Sequence, residues 1–158
     1  MKFKNVVWTI SEQDILSICK LFDKVNITRV EINNNILICG LYKVVGMNID
    51  FEASITPLSV DNNILYVKLV DFKIGKKDTT NPLVKKSINS ITNSISSIDG
   101  IAYDSNIFKI ELGKILNNIC NETQKLNIND INIESVKLIN HELILNLGLA
   151  SITILSLK

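Results

Sequence analysis

Asp50 and Glu52 are the residues best spaced for acid–base chemistry, since two positions apart on an extended segment their carboxylates share one face. The segment around them alternates cleanly. Val45, Met47, Ile49, Phe51, Ala53 and Ile55 point one way, while Asn48, Asp50, Glu52 and Ser54 point the other. The pair is therefore read as the wet face of a half-exposed strand. His141 is the only histidine and lies in the polar turn Asn140-His141-Glu142, where a solvated side chain is expected. No nucleophile-elbow pattern accompanies it. Cys19, Cys39 and Cys120 are far apart and form no Cys-x-x-Cys pair, so they are read as small buried hydrophobes rather than a disulfide frame or a metal site. Asp71, Asp99 and Asp104 stand alone, and Gly40, Gly46, Gly75, Gly100, Gly113 and Gly148 never cluster into a phosphate-cradling loop. Asn26-Ile27-Thr28 and Asn121-Glu122-Thr123 match glycosylation acceptors, but no secretory signal accompanies them. Lys76-Lys77 and Lys85-Lys86 are read as a solvated helix entry, with contact to lipid headgroups the alternative. The expectation is a protein without catalytic residues, cofactor or metal.

What remains is a surface for binding. From Asn81 to Gly100, Val84, Ile88, Ile91, Ile95 and Ile98 recur at helical spacing, and Ser87, Ser90, Ser94 and Ser97 run beside them. No charge falls between Lys86 and Asp99, so the spacing predicts a helix lying in a concave surface rather than on a wet one. Ile36 to Tyr42 is apolar on both faces of a strand, which needs cover on both sides, and a ligand or a second subunit could supply it.

The elements that position these residues follow from the patterning. Phe3 to Ile10 is a short extended segment, and Ser11-Glu12-Gln13-Asp14 opens a helix to about Lys24 that buries Ile15, Ile18, Cys19 and Phe22. Ile27–Ile32, the long run from Ile36 past Ile55, and Ile64–Ile74 read as strands, with turns at Asn33-Asn34-Asn35 and Asp61-Asn62-Asn63. Pro82 fits the first position of the long helix and Gly100 its end. Ile107–Leu112 is a short strand, Gly113–Ile119 a short helix, and Ile128–Leu138 with Leu143–Leu155 a final hairpin that echoes Val30–Ile38. Strands joined by turns predict an antiparallel sheet and the α+β class.

With 158 residues the chain is expected to form one domain over 1–158, long enough for a real core. It is 46% hydrophobic and only 21% charged, with a mean hydropathy of +0.24, and its Ile/Lys/Asn bias fits an AT-rich genome. The net charge of +1 and a single arginine, Arg29, argue against a nucleic-acid partner. Val6 to Ile10 is too short for a signal-peptide core, and no apolar run reaches the ~20 residues of a membrane span. The cytoplasm is the default compartment.

The order of these elements resembles the tubular lipid-binding (TULIP) superfamily, in particular small bacterial members of its bactericidal/permeability-increasing-protein-like class. The segments that carry the resemblance are Ile10–Leu16, Ile27–Leu41, Met47–Ile74, Pro82–Ile98, Ile107–Leu112 and Val136–Leu147. It implies a strongly curved antiparallel sheet wrapped around one long helix, with an additional N-terminal helix. It also implies a lipid or other apolar ligand in the groove between them. Carried over by position, Val84, Ile88, Ile91 and Ile95 would line that groove from the helix. Met47, Ile49 and Phe51 would face them from the sheet, with Val70 and Phe72 as further candidates. The alternative is an interaction or structural module of the same fold with a filled core, pairing through exposed apolar strands with a second copy or a related subunit. A continuous apolar cavity of at least ~300 Å³ beside Ile88 and Phe51 distinguishes the two.

Overall fold

The computed structural model describes residues 2–20, 22–44, 47–75, 82–122 and 126–154. Of the residues discussed above, Val45, Gly46, Lys76, Lys77, Asn81, Thr123 and Leu155 lie outside the described residues, as do the side chains of Met47, Cys120, Asn121, Glu122 and Ile128. In chain order the elements are β1 (Lys2–Ser11), α1 (Glu12–Cys19), β2 (Val25–Ile32), β3 (Ile36–Val44), β4 (Met47–Asp61) and β5 (Ile64–Ile74). They continue as α2 (Pro82–Ser96), β6 (Ile101–Asp104), β7 (Ile107–Glu111), α3 (Leu112–Glu122), β8 (Leu126–Ile139) and β9 (Glu142–Ile154).

The strands form two antiparallel sheets, six strands in the order β2-β3-β4-β5-β7-β6 and three in the order β1-β9-β8. The antiparallel expectation holds. The α+β expectation of one strongly curved sheet wrapped around a long helix does not: the chain is mostly β, with two sheets and three short helices. Two local choices account for this. The first strand of the chain pairs with the last, Lys2 opposite Ser151 through Ser11 opposite Glu142, so the terminal strands build a sheet of their own. The helix also stops at Ser96, after 15 residues, because the chain turns back at Gly100 with φ +97. A Cβ at Gly100 would lie 3.0 Å from the Cβ of Lys114, so the crossing needs glycine on both counts.

Three hairpin turns, at Asn62-Asn63, Ser105-Asn106 and Asn140-His141, place both central residues at positive φ between 49° and 65°. That is the twist-matching geometry of two-residue hairpins, and asparagine tolerates it best after glycine. The strand ladder is interrupted at two places that govern which side chains face inward. Between β4 and β5 the register shifts at Ser54/Ile55 and at Pro57/Ser59, leaving Val70 and Leu58 without cross-strand partners. Each is a bulge that reverses the inward parity of its strand.

Both sheets contribute to one buried cluster. Phe51, Leu65, Val67 and Phe72 come from the six-stranded sheet, Ile10, Leu143, Leu145 and Leu147 from the three-stranded one, and Val84 and Ile91 from α2. Two side-chain bonds tie the sheets at their turns. Asn63 Oδ1 accepts from the Ile133 amide at 2.9 Å, and Nδ1 of His141 lies 2.7 Å from the carbonyl of Ile32. Among the described residues, no helix is long and apolar enough to cross a membrane.

Candidate functional site: an apolar cavity between sheet and helices

The inner face of the six-stranded sheet is built by alternation and then corrected by its bulges. From β4 it receives Phe51, Ala53 and Ile55; from β5, Leu65, Val67 and Leu69 before the bulge and Phe72 after it. Phe51 and Phe72 stack with ring centroids 5.7 Å apart and planes 9° from parallel. Gly40 on β3 makes this possible. A Cβ there would lie 2.6 Å from the Asn26 carbonyl and 3.1 Å from the Phe51 ring, so only glycine lets that ring lie flat against the sheet.

Helix α1 closes one side with Ile15, Ile18 and Cys19. Its start is held by a complete capping box: the Asp14 amide donates to Ser11 Oγ, and Asp14 Oδ2 accepts from the Ser11 amide at 2.8 Å. The Ser11 amide foremost, and the Ser11 hydroxyl with it, donate to that carboxylate and hold it below its ordinary value. Helix α2 closes another side with Ile91, Thr92 and Ile95.

Between these walls lies a cavity of about 200 Å³. Its lining is aliphatic and aromatic apart from Cys19 and Thr92. The Thr92 hydroxyl donates back to the carbonyls of Ile88, at 2.8 Å, and Asn89, at 3.2 Å, so its proton is used within the helix. Burial pushes the Cys19 thiol up to about 12, so it stays protonated and acts as a small hydrophobe. A space lined this way offers no free donor and few acceptors, and does not hold ordered water well.

The expected groove residues divide. Phe51, Phe72, Ile91 and Ile95 line the cavity together. Val84 is fully buried in the core but does not border the cavity. Ile88 instead borders an outer groove of about 560 Å³, which shares Leu69 and Phe72 with the cavity and has Val70, Lys85 and Tyr103 among its lining. Val70 is 49% exposed, because the bulge turns it away from the side occupied by Leu69 and Phe72. Ile49 is half-buried beyond the cavity, and the Met47 side chain lies outside the described residues.

Unanticipated as lining are Leu65, Val67 and Leu69, and Phe108 and Ile110 of β7. One signal was present in β5: the apolar positions 65, 67 and 69 step by two and then jump by three to Phe72, which is how a bulge appears in a sequence. The serine stripe has a local explanation. Ser90 Oγ donates to the Lys86 carbonyl, Ser94 Oγ to that of Ser90 and Ser97 Oγ to that of Ser94, and none borders the cavity.

The polar candidates stay apart from this space. Asp50 is exposed and Glu52 half-buried on the outer face, opposite Leu41 and Cys39 of β3. His141 lies at its turn, 3.6 Å from Glu12 Oε1, which in turn accepts from the Ile32 amide at 2.8 Å. The two-sided strand β3 gives Ile36 and Ile38 to the cavity. Its outer Leu37, Cys39 and Leu41 remain half-buried, with Arg29 Nη2 donating to Cys39 Sγ. No family model, curated protein or solved structure matches this chain.

Proposed function

We propose that this protein is a non-enzymatic binder of a small apolar ligand, held between the inner face of the six-stranded sheet, α1 and α2. The observation that carries the proposal is the 200 Å³ cavity with its apolar lining. Ordinary cores are packed to crystal density with few voids larger than a water, and an empty space of this size costs roughly 24 cal/mol per Å³ in lost contacts. A ligand that fills it recovers that loss and removes its own apolar surface from water, worth about 0.8 kcal/mol per CH₂.

The volume also limits the ligand. It falls below the ~300 Å³ set above for a lipid groove, and Ile88 does not border it, so that criterion is not met. It is somewhat above the ~150 Å³ apolar void that admits benzene. The fit is to a single short chain or a small ring, not to a two-chain lipid. The test is extraction of the purified protein into organic solvent with mass spectrometry, followed by uptake of a small apolar fluorophore. Ala53→Leu provides the control, because Ala53 lines the cavity and is 8% exposed. The larger side chain should occupy the space, abolish uptake and leave the fold standing, with a change in stability under about 3 kcal/mol. Absence of any extracted or absorbed apolar molecule, or uptake undiminished in a folded Ala53→Leu variant, rejects the proposal.

A second reading rests on the free edge of the three-stranded sheet. On β1, Val7 is 61% exposed and Phe3 39%, and among the described residues β1 pairs on one side only, with β9. An exposed apolar edge strand is a template for pairing with a second copy. Sedimentation of the wild type against Val7→Lys tests it; identical monomeric profiles dismiss it.

A further inference from the structure

The apolar cavity shares a wall with a second, polar pocket, and their chemistries are complementary. Cys19, Phe22 and Ile27 border both. The second pocket, about 320 Å³, lies where α1 ends, β2 begins and β3 finishes, with the Lys43 amide donating to the Lys24 carbonyl at 3.5 Å. Its rim carries Lys20, Lys24 and Lys43, all exposed, against a single carboxylate, Asp23.

Among the described residues, none of these three lysines has a carboxylate oxygen within 4.0 Å. Lys20 is the C-cap of α1 and has a local reason to be basic, since cations suit a helix C-terminus. Lys24 and Lys43 have no such reason. The outer groove beside α2 makes the contrast. There one lysine, Lys85, lines the space with one carboxylate, Asp71, which lies 3.7 Å from Lys73.

Resting on the apolar-ligand reading above, we infer that the ligand is a single-chain amphiphile with an anionic head. Its chain enters past Phe22 into the cavity, and its head stays in the polar pocket among Lys20, Lys24 and Lys43. Phe22 lines both spaces and is only half-buried. The charged end thus keeps its water and gains cations, while the chain loses contact with water. A medium-chain carboxylate fits both the charge and the volume.

Octanoate and 1-octanol, equal in chain length and different in charge, are the probes, titrated into the full chain by calorimetry at low salt. In the triple variant Lys20→Gln, Lys24→Gln, Lys43→Gln, octanoate affinity should fall about three- to tenfold, as expected for losing exposed ion pairs, while octanol affinity stays unchanged. Raising the salt should weaken octanoate binding to the wild type in the same direction. If the variant binds octanoate as tightly as the wild type, or loses both ligands equally, the anionic-head assignment is overturned. If the wild type binds octanol but not octanoate, the head assignment again fails and the cavity reading stands. If it binds neither, the cavity reading fails and takes this inference with it.

Discussion

Single residues in this chain mostly set backbone geometry, and Asp14 shows the consequence for pH. Its carboxylate receives the Ser11 amide and hydroxyl, both at 2.8 Å, and fixes the start of the helix whose Ile15 and Ile18 wall the cavity. Those bonds lower its pKa from the ordinary 3.8. A carboxyl lowered on folding contributes stability that is fully present above its unfolded value and disappears as pH falls through its folded one. Asp14→Asn should therefore unfold at lower urea than the wild type at neutral pH, and the gap should close on acidification below 3.8. A gap that persists undiminished to the lowest pH at which both fold would show that the charge is not what holds the cap. Cys19 moves in the other direction: a thiol raised by burial to about 12 resists alkylation while the fold is intact.

At the scale of elements, bulges decide which residues form the site. Alternation along β5 places Val70 and Phe72 on one face, yet the register shift opposite Ser54/Ile55 separates them. Leu69 is 9% exposed, Phe72 2% and Val70 49%. Leu69→Ala should then cost about 2–4 kcal/mol by opening the cavity wall, whereas Val70→Thr should stay within about 0.5 kcal/mol. Chemical denaturation of the two variants distinguishes this arrangement from the unbroken alternation, which predicts the reverse. The same contrast explains what was legible beforehand. Many strand and helix positions followed from patterning, as did the capping box at Ser11 and the Asn-rich turns, because these depend on neighbours in sequence. The run from Ile36 past Ile55 is instead two strands, β3 and β4, paired with each other. β6 was not expected, and α1 ends at Cys19 rather than near Lys24. Phe51, Phe72, Ile91 and Ile95 enter as lining through the resemblance, carried over by position, and they do border the cavity. The two-sheet architecture was not legible, because pairing of β1 with β9 is a contact between chain ends that no local pattern encodes. Leu65, Val67 and Leu69 were passed over because a single unpaired residue inverts every side chain before it relative to those after it.

For the molecule as a whole, the open matter is what keeps two separately paired sheets in one body. Apolar burial supplies most of it: Leu145 of the smaller sheet is fully buried in the cluster shared with Phe51 and Phe72 of the larger. Burial has no direction, however, and the relative setting of the sheets needs bonds with geometry. Asn63 and the pair His141–Glu12 supply them. Asn63, at φ 64 in the β4–β5 turn, reaches across to the amide of Ile133 where β8 departs from regular register. His141 and Glu12 both engage Ile32, at its carbonyl and its amide. Asn63→Gly separates the two roles of asparagine, since glycine keeps the left-handed turn and removes only the side-chain acceptor. The variant should lose about 1–3 kcal/mol, the cost of leaving a partly buried amide unsatisfied, and the Ile133 amide should exchange with solvent faster while the β4–β5 hairpin amides keep their protection. Faster exchange throughout that hairpin instead would mean that Asn63 serves its own turn and not the join between the sheets. Because the cavity draws its walls from both sheets, with Leu143 from one and Phe51 from the other, slackening this join should also weaken uptake of the apolar probe.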